Sequence, residues 1–166
     1  FDEKINYLIP AKALPSHLNT LLSHMESATP GARTNIANAL HNSAEGISKR
    51  GLIIVISDLM DDVYNIMHGL KHLRHKGHEI IVFHILDQKE SDFDFNQRIK
   101  FIDKETSKEI TTDPWHVAED YLAVFSNHCN NIKKGCEINK MDYFQLKTKE
   151  PLETALIELL LKRKNY

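Results

Sequence analysis

The sequence lacks several features that would mark common functional classes. Its 166 residues carry a net charge of -2, with 21 Lys and Arg against 23 Asp and Glu. There is thus no basic excess of the kind a general nucleic-acid binder uses to meet phosphates. Neither Gly-x-Gly-x-x-Gly nor Gly-Lys-Ser/Thr occurs, which argues against a nucleotide-dependent enzyme, whose phosphates need such a loop. No apolar run approaches the roughly 20 residues that span a membrane, and no signal-peptide pattern is present. There are only two cysteines, Cys129 and Cys136. On one helix they stand about 10 Å apart, too far for a disulfide. Free thiols fit a reducing compartment, so a cytoplasmic location is expected. No metal motif surrounds them. Internal repeats, low-complexity segments and dividing linkers are also missing, so residues 1–166 read as one domain.

What is present is a strong βα pattern. Gly51-Leu-Ile-Ile-Val-Ile-Ser-Asp58 is continuously apolar until it ends at Ser57 and Asp58. Such a run predicts a strand buried on both faces, as in the middle of a parallel sheet. His78 to Leu86 is a second such strand, and Met141 to Leu146 reads as a last strand. Between and around them the spacing predicts helices. One covers Pro15 to Ser27, with Leu18, Leu21, Leu22 and Met25 on one face, and another starts at Thr34 or Asn35, with Ile36, Leu40, Ala44 and Ile47. A third spans Asp61 to His75. A fourth runs from Pro114 to about Lys134, with Asp113 as N-cap and Trp115, Val117, Ala118, Leu122, Phe125 and Ile132 inward. A last one starts at Pro151, with Leu152, Leu156, Leu159 and Leu160 inward. Phe1 to Pro10 reads as the end of a strand or hairpin, residues 88–98 as a loop or short strand, and 99–103 with 108–112 as a β-hairpin. The order implies an α/β fold with a mostly parallel sheet, helices on both faces and a small hairpin insertion.

Ligands in open α/β sheets bind beyond the carboxyl ends of the strands, which puts Asp58 at a natural site. It can serve as a metal ligand or nucleophile, or cap the next helix. Asp61 and Asp62 follow it closely. A haloacid-dehalogenase-type phosphatase needs a second carboxylate two residues after the first, and Met60 stands there. Thr34, after Pro30-Gly31-Ala32-Arg33, is either an N-cap or a hydroxyl ligand for a hard cation such as Mg²⁺. His68, His72 and His75 share one helix face, but no carboxylate or cysteine completes a metal set in the sequence. Glu90, Asp92 and Asp94 read as a solvated acidic loop.

The order of these pieces resembles the von Willebrand factor A-like domains of MoxR-associated bacterial proteins, a family of unknown function. The resemblance rests on Pro30-Gly31-Ala32-Arg33-Thr34-Asn35-Ile36, on Ser57-Asp58-Leu59 after the central strand, and on Leu73-Arg74-x-x-Gly77-His78. Val82-Phe83-His84-Ile85-Leu86-Asp87-x-x-Glu90, Phe93-x-Phe95, Phe101-Ile102-Asp103-x-Glu105-Thr106, Tyr121, Asp142-Tyr143, Thr148-x-x-Pro151-Leu152 and Arg163 extend it over the whole chain. It implies a Rossmann-like sheet and a metal-ion-dependent adhesion site. In such a site Thr34 and Asp58 match two of the ligands, and an Asp-x-Ser-x-Ser motif supplies the rest. Arg33 stands where a small residue is common. That motif is not in this sequence. The resemblance places it upstream of Phe1, with the first strand and its helix, so the domain is expected to be N-terminally incomplete here and to hold Mg²⁺ weakly or not at all.

The function implied is non-enzymatic: a protein–protein interaction domain whose partner system involves a MoxR-type AAA+ ATPase in chaperone-like assembly. Some relatives carry membrane helices upstream, so the cytoplasmic expectation covers this domain only. The exposed strand edge left by a missing first strand also invites self-association. The alternative reading is a metal-assisted hydrolase using Asp58, Asp61 and Asp62.

Overall fold

A computed structural model describes residues 5–10, 12–29, 35–95, 97–102 and 109–164. In chain order its elements are α1 (Ser16–Ser27), α2 (Ile36–Gly46), β1 (Leu52–Ser57), α3 (Val63–His75), β2 (Glu79–Leu86) and α4 (Gln88–Asp92). They continue with β3 (Ile99–Ile102), β4 (Glu109–Thr112), α5 (Pro114–Ile138), β5 (Asp142–Lys147) and α6 (Leu152–Lys164). The apolar runs pair as parallel strands in the order β1-β2-β5, while β3 and β4 form a separate antiparallel hairpin. This is an α/β fold.

Strand β2 sits in the middle and is almost wholly buried. Its Ile80 and Val82 face a core shared with α2, α3 and α5, built from Ile36, Leu40, Ile66, Leu70, Leu73, Ile132 and Cys136. Its Ile81 and Phe83 face Ala155 and Leu159 of α6. Parallel register sets Leu52 beside Glu79 and Ser57 beside His84, so all three strands end on the same side of the sheet.

The prediction for β1 was burial on both faces, and the structure corrects it. Among the described residues β1 is an edge strand. Ile53 and Val55 pack on the helical core, but Leu52, Ile54 and Ile56 remain 42%, 48% and 64% exposed on the other face. Apolar periodicity reports that a strand wants cover, not that cover is there. Each half-exposed Ile leaves about 1 kcal/mol of burial unrealised.

Other elements differ from expectation too. In α6 only Ala155 and Leu159 are buried, while Leu152, Leu156 and Leu160 are exposed. The apolar face of α1 likewise has no buried residue. Trp115 is exposed rather than inward, and α5 runs on to Ile138, past the predicted end. Asp113 holds the N-cap position of α5, but its carboxylate points towards Arg98 at 3.7 Å instead of capping. Residues 88–92 form a helix through an Asp87–Glu90 capping box, where a loop or strand was expected. Residues 5–10 adopt no regular element, and residues 1–4 lie outside the described residues. The hairpin is as predicted, and Phe93, Phe95, Phe101 and Tyr121 stack to fix it against α5.

Two glycines position the helices. Gly77, at φ 90°, ends α3 in the left-handed region, with its N–H donating to the Arg74 carbonyl at 3.0 Å. Gly69 lets α3 approach α2: a Cβ there would stand 2.8 Å from Leu40 Cβ. Gly69→Ala is therefore expected to destabilise by about 1–3 kcal/mol, as overpacking does, despite the roughly 1 kcal/mol by which Ala improves a helix interior. Urea denaturation measures it, and a stabilised variant would contradict the close approach.

Candidate functional site

The site begins with a turn at the carboxyl end of β1. The Ser57 hydroxyl accepts from the Leu59 N–H at 3.1 Å, and the Leu59 carbonyl accepts from the Asp61 N–H at 3.0 Å. Leu59 adopts φ 51°, in the left-handed region, which costs a non-glycine residue on the order of 1 kcal/mol. Its side chain is wholly buried in the helical core, and that burial offsets the strain.

Two histidines hold the turn from below. His84, on β2, is wholly buried, and its Nε2 lies 2.8 Å from the Asp58 carbonyl oxygen. A carbonyl only accepts, so Nε2 carries the proton. The Nδ1 is then an acceptor for the Tyr143 hydroxyl at 2.7 Å. Gln145 donates to that same phenol oxygen at 3.1 Å. His128, on α5, donates from Nε2 to the Leu59 carbonyl at 2.9 Å. Successive carbonyls of the turn are thus each satisfied by an imidazole, as buried polar groups require. Burial pushes the His84 pKa below its ordinary 6.5, with the neighbouring His128 acting in the same direction, against the Asp58 carbonyl. Burial also raises the Tyr143 pKa, so the phenol stays a donor.

The Asp58 carboxylate is what this scaffold presents. It is exposed, and its contacts with the Met60 N–H and the Ser57 hydroxyl are both long, at 3.4 Å. Its oxygens therefore retain capacity for a partner. Asp61 and Asp62 do not join it. Asp61 accepts from the Asp62 N–H at 2.7 Å, and Asp62 caps α3 by accepting from the Asn65 N–H at 3.1 Å. Thr34 lies outside the described residues. Among the described residues Asp58 is a single ligand without companions, and this set does not fit a complete cation site.

The α3 histidines do not converge either. His68 stacks with Tyr64, while His72 turns towards His41 on α2. Both cysteines are buried and free. Burial pushes the Cys136 thiol up to about 12 and raises Cys129 as well, so neither is a ready nucleophile. A cavity of about 1010 Å³ lies at the amino ends of β2 and β5, away from Asp58. Four of its lining charges are already paired, Lys162 with Asp142 and Arg163 with Glu79. Sequence reasoning reached Asp58 from its place after an apolar run. It missed His84, His128 and Tyr143. A histidine inside the apolar run of β2 was the available signal.

The depressed pKa of His84 has a consequence for stability. Below about pH 6.5 the unfolded chain takes up a proton at this position that the folded chain resists. The contribution is fully present above the unfolded value and falls as the pH drops towards the folded one. Urea midpoints measured from pH 8 to pH 5 should decline below about 6.5, and His84→Gln should flatten that decline. An unchanged pH profile in the variant would contradict a neutral, buried His84.

Residues 1–128 match the family described as "Protein of unknown function DUF58". No curated protein matches the chain, and no solved structure does. The match takes in the whole of the Asp58 turn, His84 and His128, and stops before β5 and α6. It covers well over half of the sequence, and the chain belongs to this family.

Proposed function

We propose that the chain is a non-enzymatic protein–protein interaction domain of the von Willebrand factor A-like, Rossmann-like kind. The observation that carries this reading stands at β1: an exposed carboxylate on a fixed turn continues an unpaired, apolar strand edge. An added strand satisfies the free edge amides and carbonyls, and its side chains cover the bare face.

The occupant assigned to the edge is a second copy of the chain. Antiparallel pairing centred on Ile54 sets Ile54 opposite Ile54 and Leu52 opposite Ile56 on the bare face. The same register sets Ile53 opposite Val55 on the other. No charge enters either row, so the strand is complementary to itself. In an intact domain the reading assigns Mg²⁺ to Thr34, Asp58 and an upstream Asp-x-Ser-x-Ser motif. A MoxR-type AAA+ ATPase system is then the further partner.

The hydrolase alternative needs Asp58, Asp61 and Asp62 to act together. Both later carboxylates are engaged with backbone amides, which favours the binding reading.

Light scattering on the purified chain should give a dimer. Ile54→Lys should give a folded monomer, because two lysines would meet at the two-fold centre while Ile54 is already half-exposed in the single chain. A monomeric parent, or a dimer untouched by Ile54→Lys, would count against the edge. Phosphoester turnover with Mg²⁺ or Mn²⁺ that disappears in Asp58→Asn would instead establish the hydrolase.

A further inference from the structure

We propose that His41, Glu45 and His72 form a zinc-binding site that ties α2 to α3. His41 and Glu45 stand four residues apart on α2 and so leave the helix on one face. His72 meets them from α3. One ligand atom from each residue lies within 4.8 Å of the other two, and no other such group of His, Cys, Asp or Glu gathers among the described residues.

The spacing suits zinc. His72 Nε2 is 3.2 Å from Glu45 Oε1, and His72 Nδ1 is 3.0 Å from His41 Nδ1. Ligands around a tetrahedral zinc, each about 2.0–2.1 Å from the ion, stand roughly 3.3 Å from one another. These contacts use the two opposite nitrogens of the His72 ring, only one of which can ligate the ion, so a side chain must turn to bring one atom from each residue, all within 4.8 Å of one another, onto a common point. Two imidazoles and a carboxylate form a donor set typical of zinc with one open position. Imidazole nitrogens select zinc, copper or nickel over Mg²⁺, which prefers oxygen.

The helices are held for this meeting. Gly69, one turn before His72, permits the close approach at Leu40, one residue before His41. Both helices are packed beneath the site through Leu40, Ala44, Leu70 and Leu73. Lys76 reaches across from the end of α3, donating to the Ala44 carbonyl at 2.7 Å and to Glu45 Oε1 at 3.3 Å. It orients the carboxylate and leaves its second oxygen available. The site lies on helices rather than loops, where ligand geometry is best maintained. The exposed position of His41 and Glu45 leaves the fourth coordination place open to water.

The test uses the untagged chain and Zn²⁺ alone. Calorimetric titration should show one equivalent bound, with a rise in melting temperature that excess EDTA reverses. Co²⁺ in place of Zn²⁺ should give the visible bands of a tetrahedral site. His41→Ala and Glu45→Gln should each weaken binding at least about tenfold (about 1.4 kcal/mol). His68→Ala and His75→Ala, on the same helix but outside the set, should leave it unchanged. Should His41→Ala fail to fold, His72→Gln provides the same comparison. Absence of binding with a Kd below about 100 μM, that is, a standard binding free energy weaker than roughly −5.5 kcal/mol, would overturn the site. So would binding that survives His41→Ala or that depends on His68.

Discussion

Burial of β2 on both faces is the constraint on which the rest of this molecule depends. The strand carries Ile80 and Val82 into the helical core and Ile81 and Phe83 against α6, so both layers are fixed to it. Its neighbours take their register from it, β1 on one side and β5 on the other. The same strand supplies His84, whose two ring nitrogens link Tyr143 of β5 to the Asp58 turn after β1. One polar side chain in an apolar strand therefore joins all three strands at their carboxyl ends. Its burial also explains why it stays neutral.

The contrast between β2 and β1 is the physical basis of the functional reading. Both sequences are predominantly apolar, yet of the two only β2 has cover on each side among the described residues. What β1 exposes is a row of aliphatic side chains together with one edge of backbone groups. In water those groups favour any strand that can pair and pack at once.

Much of the fold was legible in the sequence because it is written in local terms. Runs of Ile, Val and Leu marked β1 and β2. Asn35 and Asp62 cap α2 and α3, and Gly77 ends α3 in the left-handed turn that a helix stop requires. Asp58 was found from position alone. Most of the misses concern what lies across the chain. Whether Leu156 or Ile54 is covered depends on neighbours that periodicity does not report. The role of His84 depends on a carbonyl 26 residues away, and that of His72 on His41, 31 residues away. Thr34, the second residue singled out, lies outside the described residues and has no structural outcome.

The most direct test of the central account is hydrogen exchange along Leu52–Ser57 as a function of protein concentration. Alternate amides of a strand point away from its neighbour, so in a lone chain about half of this segment should exchange rapidly. At high concentration the account predicts that those same amides become protected while β2 is unchanged. Full protection of β1 at every concentration, with the chain monomeric, would show that the edge is already covered and would contradict the account.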